Sequence, residues 1–211
     1  MEQISINRQS SIRLDGEKIL YFDPWDVKDF SGDADLIFIT HDHFDHYSAP
    51  DIMKLKKAGT VVVVPAGFAK KVKEETGAEV LSVEPGKQYT AAGISFETVA
   101  AYNVNKKFHP KKSGYCGYAV SMGGKRWYVM GDSDVTDEAA QVQCDVLFLP
   151  IGGHYTMDYN EAVPLVKKIA PLVVIPTHYG DVIGEKDFGD RFADLMAQQV
   201  PDVKVELILY Q

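Results

Sequence analysis

Alternating apolar and polar positions open the chain. Ile4-Ser5-Ile6 and Ser11-Ile12-Arg13-Leu14 predict short strands with one buried face. Asp15-Gly16 then predicts a hairpin into Lys18–Phe22, because both turn positions tolerate positive φ. Leu36–Thr40 is a short apolar strand that hands over to a polar loop, His41–Tyr47. Ser48-Ala49-Pro50-Asp51 predicts a helix start, with Ser48 as cap, Pro50 in the first turn and Asp51 complementing the dipole. Val61–Pro65 has the pattern of a buried strand and Gly67–Glu75 that of a short amphipathic helix.

From Gln88 to Met130 the pattern is β-rich, with strands over Ile94–Ala101, Tyr115–Ser121 and Arg126–Met130. Gly123-Gly124 joins the last two as a hairpin. Beyond Asp132 the units alternate: a short helix near Thr136–Val142, strand Val146–Pro150, helix Asn160–Ala170, strand Leu172–Pro176, helix Lys186–Gln199 and strand Val203–Leu209. Strand-rich halves with helices outside predict an α+β fold, a four-layer αββα sandwich.

No linker, repeat or low-complexity tract interrupts the 211 residues, so one domain over 1–211 is expected. With 22 basic against 30 acidic side chains the formal charge is −8, which argues against nucleic acid as a partner. The longest nearly apolar run, Val61 to Ala69, is far too short to cross a bilayer, so no integral membrane segment is expected. Cys116 and Cys144 are widely spaced and lack a metal-type pairing. They fit core positions of a reduced, cytoplasmic protein.

Residues 40–46 read Thr-His-Asp-His-Phe-Asp-His, directly after a strand. Three of the six histidines thus fall within six positions. Imidazole and carboxylate are donors that suit zinc, and a loop leaving a strand end can fold them onto one centre. His41 and His43 can reach one ion from the same side, while Asp45 and His46 continue the turn toward a second.

This motif resembles the signature of the metallo-β-lactamase-fold hydrolases. Two further segments follow in the matching order. Gly131-Asp132 resembles the strand-end pair whose carboxylate bridges two metals, and Pro176-Thr177-His178-Tyr179 resembles the late strand-end histidine of the second site. Together with Leu149–Met157, these segments look most like the small single-domain branch. That branch includes proteins similar to the ascorbate-phosphate lactonases and to N-acyl-phosphatidylethanolamine phospholipase D.

The resemblance implies two zinc ions per chain, with manganese or iron as alternatives. It also implies hydrolysis of an ester, lactone, amide or phosphodiester in a small-molecule substrate. Asp132 would bridge the metals, and Asp45 would orient the attacking water.

One position departs from the family pattern. The mid-chain strand ends Val99-Ala100-Ala101-Tyr102-Asn103 without the expected third histidine. His109 is favoured for that place over Asn103, since an amide oxygen is a poor zinc ligand, and His154 is a further alternative. His154 can equally be a proton donor or a structural residue. Lys106, Lys107, Lys111 and Lys112 bracket His109 and could meet an anionic substrate group. Two rival readings stay open: a mono-iron redox enzyme of the persulfide-dioxygenase type, and a non-catalytic metal-binding module.

Overall fold

The alternation of apolar positions resolves into two sheets facing one another in a computed structural model that describes residues 3–28 and 31–209. The first sheet has the spatial order β1 (Gln3–Ile6), β2 (Ile12–Asp15), β3 (Ile19–Phe22), β4 (Ala34–Phe38), β5 (Lys56–Pro65), β6 (Glu79–Val83). Its first three strands form an antiparallel meander; β3 to β6 are parallel. The second sheet repeats this plan. Strands β7 (Gln88–Ala91), β8 (Ile94–Ala100), β9 (Cys116–Met122) and β10 (Lys125–Val129) run antiparallel. Strands β11 (Val146–Pro150), β12 (Val173–Thr177) and β13 (Lys204–Val205) then add parallel to β10.

Period-two alternation decides what each face buries. Leu36 and Phe38 of β4 point between the sheets, where Phe38 stacks on Phe22 at 4.8 Å and meets Phe96 and Tyr118 of the opposite sheet at 5.1 and 5.0 Å. Ile37 and Ile39 point the other way, under α1 (Ala49–Leu55) and α2 (Ala69–Thr76), with Ile52, Leu55 and Val72. On the second sheet, α3 (Tyr159–Ile169) and α4 (Phe188–Gln199) bury Val163, Val166, Phe192 and Met196. The layers are therefore α, β, β, α.

Several boundaries differ from the pattern-based expectation. Ser48 does cap α1, accepting a hydrogen bond from the Asp51 amide at 3.3 Å. The helix expected near Thr136–Val142 is a single 3-10 turn, Ala139–Gln141. The last strand is two residues long, and β6 was not anticipated. No helix among the described residues is long and apolar enough to cross a membrane.

Candidate metal centre

At one rim of the sandwich the parallel strands end, and the loops leaving them carry polar residues to a common point, as expected for the carboxyl ends of such strands. Asp23 follows β3, Thr40–His46 follow β4, Asp132 follows β10 and His178 follows β12. His109 arrives from the β8–β9 connection. Gly131 allows this convergence. Its φ is +66°, and an added Cβ would lie 2.8 Å from Thr40 Cβ, so only glycine lets the two strand ends meet.

The donors fall into three overlapping groups, of which Asp23–His41–His46 is one and two further triads flank Asp132. One nitrogen each from His41, His43 and His109 lie within 4.8 Å of one another; donor atoms of Asp45, His46 and His178 do the same. Asp132 stands between them. Its Oδ2 lies 3.2 Å from His178 Nε2, 3.6 Å from His109 Nε2 and 3.9 Å from His41 Nε2, while Oδ1 lies 3.3 Å from His46 Nε2. His43 Nδ1 faces His109 Nε2 at 3.2 Å, and His178 Nε2 faces Asp45 Oδ2 at 3.2 Å. Two ligands about 2.0–2.1 Å from one tetrahedral zinc lie roughly 3.3 Å apart, so these spacings fit shared ions.

The surrounding hydrogen bonds orient the rings. Asp23 is fully buried and accepts from the Thr40 amide at 2.7 Å, the Thr40 hydroxyl at 2.6 Å and His46 Nδ1–H at 2.7 Å. Thr40 Oγ1, having donated its proton to Asp23, accepts from His41 Nδ1–H at 2.9 Å. His109 Nδ1–H is shared between Asn103 Oδ1 at 3.1 Å and the Tyr155 carbonyl at 3.2 Å. Each of these contacts places a proton on Nδ1; His41 and His109, both held below the ordinary value, keep a lone pair on Nε2, and His46 would gain one when a metal displaces its second proton. Carboxylate or carbonyl support of this kind is what metal-binding histidines use.

His41 Nε2, His46 Nε2 and Asp132 Oδ1 are buried with no hydrogen-bond partner among the described residues. Buried polar atoms left without hydrogen-bond partners around one carboxylate are what a bound cation would satisfy, and the donor set therefore fits metal.

The same crowding sets the charges. Burial, reinforced by the neighbouring histidines, pushes His41 well below its ordinary value. Burial also takes His109 down to about 4, against the pull of Asp132. His46 goes the other way. Burial would lower it, but Asp132, Asp23 and Asp45 outweigh that and lift it to about 10. For Asp45, burial opposes the charge, and the His178 hydrogen bond with nearby His46 wins, holding the carboxyl well below the usual range.

Asn103 is not itself a donor to the cluster. It also accepts from the His109 amide at 3.0 Å, and its Nδ2 donates to the Tyr155 carbonyl at 2.8 Å, so it braces the loop that presents His109. His154 lies outside both triads: it is exposed and packs edge-on to Tyr155 and beside Phe108, with ring centroids 4.5 and 5.3 Å away. Lys106 and Lys111 are ion-paired, Lys106 with Asp134 at 2.6 Å and Lys111, which stays exposed, with Glu138 at 2.5 Å.

Two features have no counterpart in the sequence reading. Asp23 is one; Phe22-Asp23-Pro24, a strand end meeting a proline, was its only signal. Tyr115 is the other. Its ring lies 5.3 Å from His41 and walls the half-buried His43, its hydroxyl donates to Asp42 at 2.7 Å, and burial pushes the phenol up to about 12.

Two sheets in αββα layers with a histidine–aspartate cluster at the strand ends define a metallo-hydrolase. Residues 7–178 match the family described as the beta-lactamase superfamily domain. A metal-dependent hydrolase of Thermoplasma acidophilum is 32% identical over 193 residues, covering 85% of this chain and 84% of its own length. One from Aeropyrum pernix is 35% identical over 186 residues, covering 78% and 76%. The solved structure of Igni18, a metallo hydrolase from Ignicoccus hospitalis, superposes with a TM-score of 0.82 at 23% identity over 99% of this chain and 95% of its own. The chain belongs to the metallo-β-lactamase superfamily and is a metal-dependent hydrolase.

Proposed function

We propose that the protein is a dinuclear, zinc-type hydrolase of a small-molecule substrate, cleaving an ester, lactone, amide or phosphodiester bond. The observation that carries this is the pair of donor triads on either side of Asp132. His41, His43 and His109 would hold one ion; Asp45, His46 and His178 the other; Asp132 would touch both. When bound, such ions supply Lewis acidity and bring the pKa of water toward neutrality.

The protein's own part is positioning. Asp45 stays ionised at any working pH and so remains an acceptor for a proton of the attacking water. Asp23, Thr40 and Asn103 occupy Nδ1 of three imidazoles and so leave Nε2 as the atom that would face a metal. Tyr115, protonated at neutral pH, lines the approach to His43. Lys106 and Lys111 are engaged in ion pairs, whereas Lys107 and Lys112 are exposed, so an anionic substrate group could still meet this segment.

A second reading, a metal-binding module without turnover, rested on the missing strand-end histidine. His109, at 3.2 Å from His43, supports the hydrolytic reading instead.

The test is hydrolysis of p-nitrophenyl acetate, a lactone and bis-p-nitrophenyl phosphate by zinc-loaded and chelator-treated protein. Metal-dependent turnover of at least one is expected, abolished or nearly so in Asp45→Asn when rates are compared per bound zinc, since Asp45 would also be a ligand. Turnover by Asp45→Asn equal to wild type would contradict the role given to that carboxylate, and no turnover of any probe would contradict the hydrolytic reading.

A further inference from the structure

Seven large hydrophobic residues are exposed among the described residues, and five of them sit in the loops that deliver the metal donors. Phe44 lies between His43 and Asp45, Phe108 precedes His109, and Val104 belongs to the same β8–β9 connection. Val135 and Val182 follow Asp132 and His178 by three and four positions. Single exposed apolar residues are ordinary on a protein surface. Their concentration around one donor cluster is not, and it is what a ligand-binding surface presents.

His43 shows where this surface opens. It is half-buried, whereas the other six donors are buried, so the cluster is reached from the His43 side. Two phenylalanines flank that opening. His43 Nδ1 and His109 Nε2 face one another at 3.2 Å, and Phe44 and Phe108 are next to them in the chain. Phe44 is 66% exposed and rests edge-on against Trp25, with ring centroids 5.7 Å apart. The Arg8 guanidinium covers Trp25 at 4.4 Å and pairs with Asp181, which ties the exposed Val182 segment to this bank. Phe108 is 41% exposed and rests edge-on against Tyr155 at 4.5 Å. The Tyr155 carbonyl in turn accepts from His109 Nδ1–H at 3.2 Å. Both rings are thus held by contacts within the metal-bearing loops while much of each stays open to solvent.

We propose that the substrate carries an apolar group of several carbons beside the bond that is cleaved, and that Phe44 and Phe108 are the specificity-determining residues that receive it. This rests on the hydrolytic reading above and names the substrate class for the same centre. An apolar group lying between the two banks takes ring surface out of water, which supplies binding energy, while the polar end of the substrate stays over the donor cluster. A bilayer or a protein partner fits this rim less well. Either needs a continuous apolar face, and here exposed Asp42, Lys107 and Asp181 are interspersed with the rings.

The experiment measures by calorimetry how tightly zinc-loaded protein binds acetohydroxamate, butyrohydroxamate, hexanohydroxamate and octanohydroxamate. Hydroxamates hold zinc through their oxygens whatever bond the enzyme cleaves, so the series reads the rim alone. A methylene fully removed from water is worth about fourfold in affinity, and a half-covered one about twofold. Octanohydroxamate should therefore bind roughly 50-fold more tightly than acetohydroxamate. That ratio should fall by about fivefold or more in Phe44→Ser and in Phe108→Ser. Leu172→Ser removes a residue that is 68% exposed just before β12, at the end of the strand remote from His178, and should leave the ratio unchanged. Because Phe108 packs on the residue that braces His109, Phe108→Leu is measured as well and should give an intermediate ratio.

A flat series in wild type would overturn the proposal, as would a rising series that neither serine variant alters. A flat series together with self-association, or with binding to phosphatidylcholine vesicles, that the serine variants abolish would assign the rim to a second copy or to a membrane and overturn it equally. Failure of the hydrolytic reading looks different: hydroxamates bind with the expected chain-length dependence to a protein that turns over none of the ester, lactone and phosphodiester probes. Absence of binding by every hydroxamate would overturn both.

Discussion

Asp23 shows how one residue outside the donor set governs it. Three donors converge on its carboxylate, and two of them fix the orientation of His46 and, through Thr40, of His41. Asp23→Asn keeps the shape but loses the charge and places an NH₂ group where two acceptors' worth of donors now point. Metal affinity should fall about 10–100-fold with the fold retained, measured by competition with a chromophoric chelator. Unchanged affinity would mean that the rings are held by packing alone. The histidine motif was legible in the sequence because its four donors are nearly consecutive. Asp23 was not, because its partner His46 lies 23 positions later and a lone Asp before Pro reads as a turn. His109 was legible only as the nearest available imidazole; its bracing by Asn103 is a tertiary fact.

Among elements, the β8–β9 connection is the one that completes the first triad. It is held from both sides. Asn103 and Tyr155 bind His109, while Lys106 lies across Asp134, which also accepts from the Val104 amide at 2.9 Å. Asp134 is 6% exposed and pairs with that lysine. Lys106→Met should cost about 1–3 kcal/mol by stranding a nearly buried carboxylate. It should also lower occupancy at the His41–His43–His109 triad, checked by thermal melting and metal content. A melt and metal content equal to wild type would show the loop to be held by Asn103 alone.

Strands β4, β10, β11 and β12 and helix α3 were readable from apolar runs and caps, since each buries a face independently of its neighbours. The edges were not. In β6, Glu79-Val80-Leu81-Ser82-Val83 is short and mixed, and β13 pairs through two residues only. At such edges sheet context decides, not local pattern.

At the scale of the whole molecule, the centre makes stability depend on pH in both directions. In the metal-free protein His46 is raised to about 10, so its contribution is complete below the ordinary histidine pKa and is lost as pH rises toward 10. His109, lowered to about 4, contributes fully above the ordinary value; that is lost as pH falls toward 4. The melting temperature of chelator-treated protein should therefore peak near pH 6.5, the unperturbed histidine value. Zinc should flatten the alkaline limb, because His46 no longer carries the proton that is lost there. A metal-free profile rising steadily to pH 9 would contradict the charge state assigned to His46. The layered architecture itself follows from strand alternation and outer helices. The meeting of loops from both sheets at one rim does not, since no local pattern encodes which strand ends become neighbours.

The most direct test of the dinuclear centre is a zinc titration of chelator-treated protein, with bound metal counted by emission spectroscopy. Wild type should bind two equivalents per chain. His109→Ala and His178→Ala should each retain one, with unchanged circular dichroism, and Asp132→Ala should weaken both. A wild-type stoichiometry of one, or two equivalents retained by His109→Ala, would contradict the two-triad centre.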